Sequence, residues 1–174
     1  GYGGAERVAS LLASAWSVAG HDVSIVTFEA GGVSPTYPLS EKVSLVQLGL
    51  SVPSAGIGSA LRNNCRRIKV LRQCLLGLQP DVVISFMTET NVLTLAAGLF
   101  ARWPTVVSER VHPAHHALAR RWIILRRLLY PKAAAIVVQT RDIASWLRRN
   151  VHADASVIPN PVDIAMFAGG ASKQ

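Results

Sequence analysis

The sequence predicts an α/β protein, a parallel β-sheet with helices on both faces. Three observations predict it. Short β-branched runs alternate with longer helical patterns, the signature of successive βαβ units. The strand runs are continuously apolar, as expected where helices cover both faces of a sheet. The 174 residues, 50% hydrophobic and only 16% charged, suffice for about one domain with a real core.

The elements follow in order. Residues 5–19 have helical periodicity, and Gly20 stands just past their end as a natural stop. HDVSIVTF (21–28) is a strand, followed by a Gly/Pro/Ser loop through Pro38, and EKVSLVQL (41–48) is the next strand. Residues 57–78 form a long helix closed by Gln79-Pro80, with Ile57, Leu61, Ile68, Leu71, Leu75 and Leu78 on one face. DVVISF (81–86) is a buried-type strand, 90–102 a helix, and PTVVSE (104–109) a strand. A helix over 115–130, a strand AAIVVQT (134–140), a helix over 141–149 and a strand ASVIPN (155–160) complete the series. Ligands of such sheets bind beyond the carboxyl ends of the strands. Those positions hold Glu29, Thr88 to Asn91, Ser108-Glu109-Arg110, Gln139-Thr140 and Asn160-Pro161. The glycine-rich opening GYGGAER has no strand before it and FAGGASKQ follows the last strand abruptly, so the chain is expected to be cut at both ends.

Charge speaks about partners. Eighteen Lys and Arg face ten Asp and Glu, a net charge of +8 and a pI near 10.3. Such a balance suits phosphates, nucleic acid or an anionic membrane surface. No apolar run reaches the roughly 18 residues of a spanning helix, so the chain reads as soluble or peripheral. Cys65 and Cys74 lie on one helix, about 13 Å apart at helical rise and beyond disulfide reach; free thiols fit a reducing cytosol.

Arg62, Arg66 and Lys69, with Arg72 beside them, lie opposite the apolar face of helix 57–78, and no acid occurs between Glu41 and Asp81. An unneutralised face of this kind points to an anionic membrane surface or a lipid pyrophosphate. A second basic stretch, Arg110 to Arg141, contains RRWIILRRLLY, which is apolar around nearly its whole circumference. Two readings stand for it. One is a buried helix with arginines at its edges; the other is an interfacial helix with snorkelling arginines and an aromatic anchor.

Several chemistries are excluded. Gly1, Gly3 and Gly4 could let a phosphate approach the helix start, but the dinucleotide fingerprint would need glycine where Glu6 stands. The P-loop sequence is absent. His112, His115 and His116 lack metal-ligand spacing, so no metal is expected. Ser108 has no nucleophile-elbow glycines around it. No recognised nucleic-acid motif is present, and no nucleic-acid partner is expected. Glu109 ends an otherwise apolar strand, which favours a polar function for it.

GGAER (3–7), ISFMTETN (84–91), VVSER (106–110) with Pro113, LYPKAAAIVVQT (129–140) and VIPNPVD (157–163), in this order and spacing, resemble family 4 glycosyltransferases. These are retaining enzymes of the GT-B type, with two Rossmann-like domains facing across a cleft. The resemblance implies that 1–163 is the N-terminal acceptor-binding domain with its first strand missing, and 164–174 the hinge and start of a missing donor domain. The donor half's E-x7-E pair is absent, since the glutamates stand at 6, 29, 41, 89 and 109.

The activity so implied is transfer of a hexose or N-acetylhexosamine from a nucleotide sugar, UDP-linked, to a lipid-linked glycan, lipopolysaccharide or capsule precursor. It needs no cofactor, and it belongs to the full-length protein, the fragment alone being inactive. Glu109 and His112 are the implied catalytic residues. Gly3, Gly4, Glu6, Thr88, Glu89, Asn91, Arg110 and Asn160 would bind the donor diphosphate or substrate. Arg62, Arg66, Lys69 and Arg72 would face membrane or lipid pyrophosphate, with the protein peripheral at the cytoplasmic side of the inner membrane. Glu6, Glu89, Glu109, Arg110 and His112 are expected to converge on one cleft. The alternative is a non-catalytic Rossmann-like module that docks to a membrane or a protein partner.

Overall fold

The computed structural model describes residues 3–51, 56–114 and 118–161. Helix α1 (Gly4–Val18) precedes strands β1 (Val23–Thr27) and β2 (Val43–Gln47). The long α2 (Ile57–Leu78) leads to β3 (Val83–Phe86), α3 (Thr88–Ala97) and β4 (Thr105–Glu109). After them come α4 (Arg120–Leu129), a short 3-10 turn (Tyr130–Lys132), β5 (Ala135–Val138), α5 (Arg141–Val151) and β6 (Ser156–Val157).

Every strand pair is parallel, and helices cover both faces, so the Rossmann-like class expected from the sequence is the observed one. β1 pairs with β2, and a separate four-stranded sheet runs β3-β4-β5-β6. Among the described residues β1 and β3 share no ladder, in keeping with the expectation that strands 21–28 and 81–86 are not direct neighbours. The main core lies on the four-stranded sheet, where Val107, Ile136 and Val138 meet Val92, Leu95, Leu129 and Leu147 from the helices. A smaller cluster joins the two strand groups: Leu71 and Leu75 of α2 pack with Ala97, Val26, Phe28 and Val83.

Element ends differ from the sequence expectation for identifiable reasons. Gly20 does close α1, at φ +96°, with the His21 N–H bonding to the Trp16 carbonyl. α3 begins at Thr88 rather than 90 and stops at Ala97, because Gly98 and then Phe100, at φ +61°, turn the chain toward β4. The final strand is only Ser156–Val157. The Ile158 N–H still reaches the Val138 carbonyl at 2.8 Å, but Pro159 and Pro161 have no N–H to extend the ladder. His115, His116 and residues 162–174 fall outside the described residues, as does the start of the helix expected over 115–130.

Two sequence readings of α2 need correction. Leu71 and Leu75 are buried, whereas Leu61 and Leu78, assigned to the same stripe, are exposed. The 22-residue helix is about 33 Å long against roughly 17 Å for a five-residue strand, so its ends overhang the surface it packs on. Arg72 is not part of a free basic face. It is half-buried and donates from Nη1 to the Ala97 and Leu99 carbonyls at 2.6 and 2.9 Å, satisfying the end of α3. Arg62, Arg66 and Lys69 are exposed. Replacing Arg72 by Gln is therefore expected to cost about 1–2 kcal/mol in urea denaturation. Changing Arg62, Arg66 and Lys69 together to Gln should leave stability unchanged or raise it by a few tenths of a kcal/mol per relieved pair.

Candidate functional site

The carboxyl ends of β3, β4 and β5 bring two groups of polar side chains to one edge. The first is buried. β4 ends in Glu109, which is 1% exposed, directly beside the start of α3. The Thr88 hydroxyl, at the first position of α3, donates to Glu109 Oε1 at 2.8 Å, and the Tyr130 hydroxyl donates to Oε2 at 2.6 Å. Asn91 Nδ2 donates to the Tyr130 oxygen and to the Ser108 carbonyl, both at 3.1 Å, while Ser85 donates to Asn91 Oδ1 at 2.8 Å. Arg126, 2% exposed, sits on the inner face of α4 with Nη1 4.0 Å from Glu109 Oε2 and its guanidinium 4.7 Å from the Trp146 ring centre.

The electrostatics follow from burial. Desolvation pushes the Tyr130 phenol well above its ordinary value of 10, and the neighbouring Glu109 charge and hydrogen bond add to the shift, so Tyr130 stays a donor. Burial lowers the Arg126 pKa while Glu109 and Tyr130 oppose that change. The turn into α3 carries backbone strain: Met87 has φ +73° and ψ +141°, held by its N–H on the Ser108 carbonyl at 3.2 Å.

The second group is at the surface. Arg110, just past β4, donates from Nη1 to Asn160 Oδ1 at 2.6 Å and lies over the Phe86 ring at 5.5 Å. Gln139 Nε2 donates to the same Asn160 oxygen at 3.0 Å. Arg110 Nε is buried with no hydrogen-bond partner among the described residues. His112 Nε2 stands 3.0 Å from Asp142 Oδ2 at the start of α5, and its Nδ1 accepts from the Ala114 N–H at 3.2 Å. That pairing fixes the proton on Nε2 when the ring is neutral.

The expected convergence is thus partial. Thr88, Asn91 and Glu109 come together in the interior, and Arg110 and Asn160 come together at the rim. Glu89 is exposed in the first turn of α3. Gly3, Gly4 and Glu6 open α1, which packs on β1 and β2. Among the described residues, a Cβ built on Gly4 would meet nothing within 4 Å. The fold itself therefore does not require glycine there. Glu109, expected to act on substrate, is instead enclosed, with both carboxylate oxygens accepting hydrogen bonds.

Residues 3–161 match the glycosyl transferase 4-like domain over nearly the whole described chain. The chain belongs to that family. The glycosyl transferase 4-like domain is also 32% identical, over 136 residues, to a Campylobacter jejuni enzyme. That enzyme is GalNAc-alpha-(1->4)-GalNAc-alpha-(1->3)-diNAcBac-PP-undecaprenol alpha-1,4-N-acetyl-D-galactosaminyltransferase; the match covers 78% of this chain and 36% of the enzyme. A crystal structure of a glycosyltransferase from Rickettsia africae has the same fold, with a TM-score of 0.71 at 14% identity, covering 99% of this chain and 43% of that one. The matched region thus spans less than half the length of either relative.

Sequence reasoning missed Tyr130 and Arg126 in the family domain. A signal for Arg126 was available. It shares a helical face with Trp122 and Leu129, both buried, and Glu109 is the sole acid between Glu89 and Asp142. Tyr130→Phe should destabilise the domain by about 1–3 kcal/mol at neutral pH, since the Glu109 carboxylate loses a donor. The sign in alkali follows from the raised pKa: the Tyr130 contribution is full below the unfolded value near 10 and is lost as pH rises beyond it. Urea titrations on either side of pH 10 should show the wild type falling more steeply than the Phe variant.

Proposed function

We propose that this chain is the acceptor-side half of a retaining glycosyltransferase that adds a hexose or N-acetylhexosamine to a lipid-linked glycan. The observation that carries the reading is the 32% identity to an enzyme named for extending a pyrophosphate-linked undecaprenol glycan. The acceptor hydroxyl would displace UDP from the anomeric carbon, its proton passing to the departing phosphate. In such a reaction binding and positioning dominate, and this chain's residues suit those tasks.

Gly4 opens a helix whose first N–H groups have no side-chain cap, and the space beside it is clear for a diphosphate. Arg110, oriented by Asn160 and Phe86, brings an unused donor to the carboxyl edge. His112 and Glu89 border the same edge, where an acceptor sugar would lie. Glu109 acts from behind, fixing Thr88 and the turn into α3. Arg62, Arg66 and Lys69 would meet the acceptor's pyrophosphate or the bilayer headgroups, with the protein peripheral at the cytoplasmic face of the membrane. Among the described residues no helix is long and apolar enough to cross one.

The test is direct. The intact protein is incubated with UDP-hexoses or UDP-N-acetylhexosamines and a polyprenyl-pyrophosphate glycan, and mass spectrometry reads the gain of one sugar. Retention at the anomeric carbon is read by NMR of the product. Absence of transfer from every donor would leave the non-catalytic module. Gly4→Val should keep the fold and lower turnover more than tenfold, because a side chain would occupy the phosphate's approach. Changing Arg62, Arg66 and Lys69 to Gln should raise KM for the pyrophosphate acceptor severalfold with kcat little changed.

A further inference from the structure

The amino-terminal edge of the four-stranded sheet, opposite the Glu109 and Arg110 groups, holds a cavity of about 530 Å³. Arg72 and Leu76 of α2 form one wall, Gln79 to Asp81 lead into β3, and Phe100 to Trp103 lead from α3 into β4. Phe100 stands at the rim, 99% exposed. Its backbone is left-handed at φ +61°, a conformation that a bulky side chain adopts only at a cost. The turn is nonetheless held. The Ala101 N–H bonds to the Gly98 carbonyl at 2.9 Å, and Arg72 Nη1 donates to the Leu99 carbonyl at 2.9 Å. A fixed turn thus presents an aromatic ring to solvent, at a position where glycine would suit the backbone better. Leu76 and Val82 add exposed aliphatic surface at the same edge, at 53% and 48%.

Charge decides what fits there. α2 and α4 expose cations, Arg66 and Lys69 on one and Arg120 and Arg121 on the other, and a second copy set against either face would meet like charge. The amino-terminal edge differs. Asp81, entering β3, and Arg102, entering β4, are both exposed, and neither has an ion-pair partner among the described residues. Arg72 adds no free charge, being engaged with the Ala97 and Leu99 carbonyls. One acid and one base on neighbouring strands give no net attraction to an anionic surface, but they are self-complementary. A two-fold axis sets the acid of each copy against the base of the other. The same axis sets a protruding ring against a hollow on both sides.

We propose that this edge is the two-fold interface of a homodimer, in which Phe100 of each copy enters the cavity of the other and Asp81 pairs with Arg102 across the axis. The carboxyl edge, with Arg110, His112 and Asn160, stays open in both copies. The pairing is independent of the reaction assigned to that edge.

The experiment is sedimentation velocity of the intact protein between about 1 and 100 μM, a range suited to a small interface. The wild type is expected to pass from monomer to dimer within it. Phe100→Gly suits the left-handed backbone and should melt no lower than wild type in dilute solution, yet weaken the dimer about tenfold or more. Asp81→Arg and Arg102→Asp each set like charges opposite one another, and each should weaken self-association about tenfold at low salt. Mixed in equal amounts, these two variants should dimerise with each other about as tightly as the wild type does, because every pair again joins acid to base. Unchanged circular dichroism would show that all three variants are folded.

Wild-type protein that stays monomeric across the range overturns the proposal, as does a dimer that Phe100→Gly leaves unchanged. Charge variants that fail to pair when mixed overturn it too. A monomeric wild type that captures a different protein through Phe100 also overturns it and assigns the edge to that partner.

Discussion

A carboxylate taken out of water must find donors and countercharge within the protein, and Glu109 draws them from two helices and a turn. Thr88 of α3 and Tyr130 of the 3-10 turn after α4 donate hydrogen bonds, and Arg126 of α4 supplies positive charge 4.0 Å away. Removing the Arg126 cation from such a buried set would cost several kcal/mol, because the carboxylate's charge is left without compensation. The consequence is geometric. α3, β4 and α4 can pack in essentially one relative arrangement, the one in which these atoms meet. That arrangement sets where the chain leaves β4, and so where Arg110 and His112 stand.

The same constraint separates two jobs that the sequence presents as one. SER at the end of β4 places an acid and a base side by side, but alternation along a strand sends neighbouring side chains to opposite faces. Glu109 goes into the core and holds the framework. Arg110 goes to the rim, where Asn160 and Phe86 orient it and its Nε has no partner. The interior acid and the rim cation are thus held one peptide unit apart, each by its own partners.

Charge on the helices divides likewise. Arg72 and Arg126 serve the fold, one closing the end of α3 and the other facing Glu109. Arg67 lies over Phe28 and bonds to the Leu50 carbonyl, tying α2 to the chain after β2. On α4, Arg127 bonds to the Asn150 carbonyl at 3.0 Å and Arg121 lies over the Trp122 ring, while Arg62, Arg66 and Lys69 stay exposed on α2. The +8 balance of the chain therefore understates how unevenly its charge is spent, and the surplus sits on two helix faces.

The sequence by itself determined the order of elements, their parallel pairing and the strand edge at which Thr88, Asn91, Glu109, Arg110 and Asn160 stand. Those features depend on short-range periodicity and on residues such as Gly20 and the prolines after β6, each readable within a few positions. The motifs GGAER, VVSER and VIPNPVD also marked the family. Only the tertiary structure decided which polar residues are interior. Thr88 meets Glu109 across 21 positions, Asn91 meets Tyr130 across 39, and Arg72 meets Ala97 across 25. Burial of a polar group is decided by whether a distant partner arrives to satisfy it, and no local pattern carries that information. Glu109 thus read as an open catalytic acid, Arg72 as a free surface charge and RRWIILRRLLY as either a buried or an interfacial helix, until long-range packing placed Glu109, Arg72 and Tyr130 against their partners.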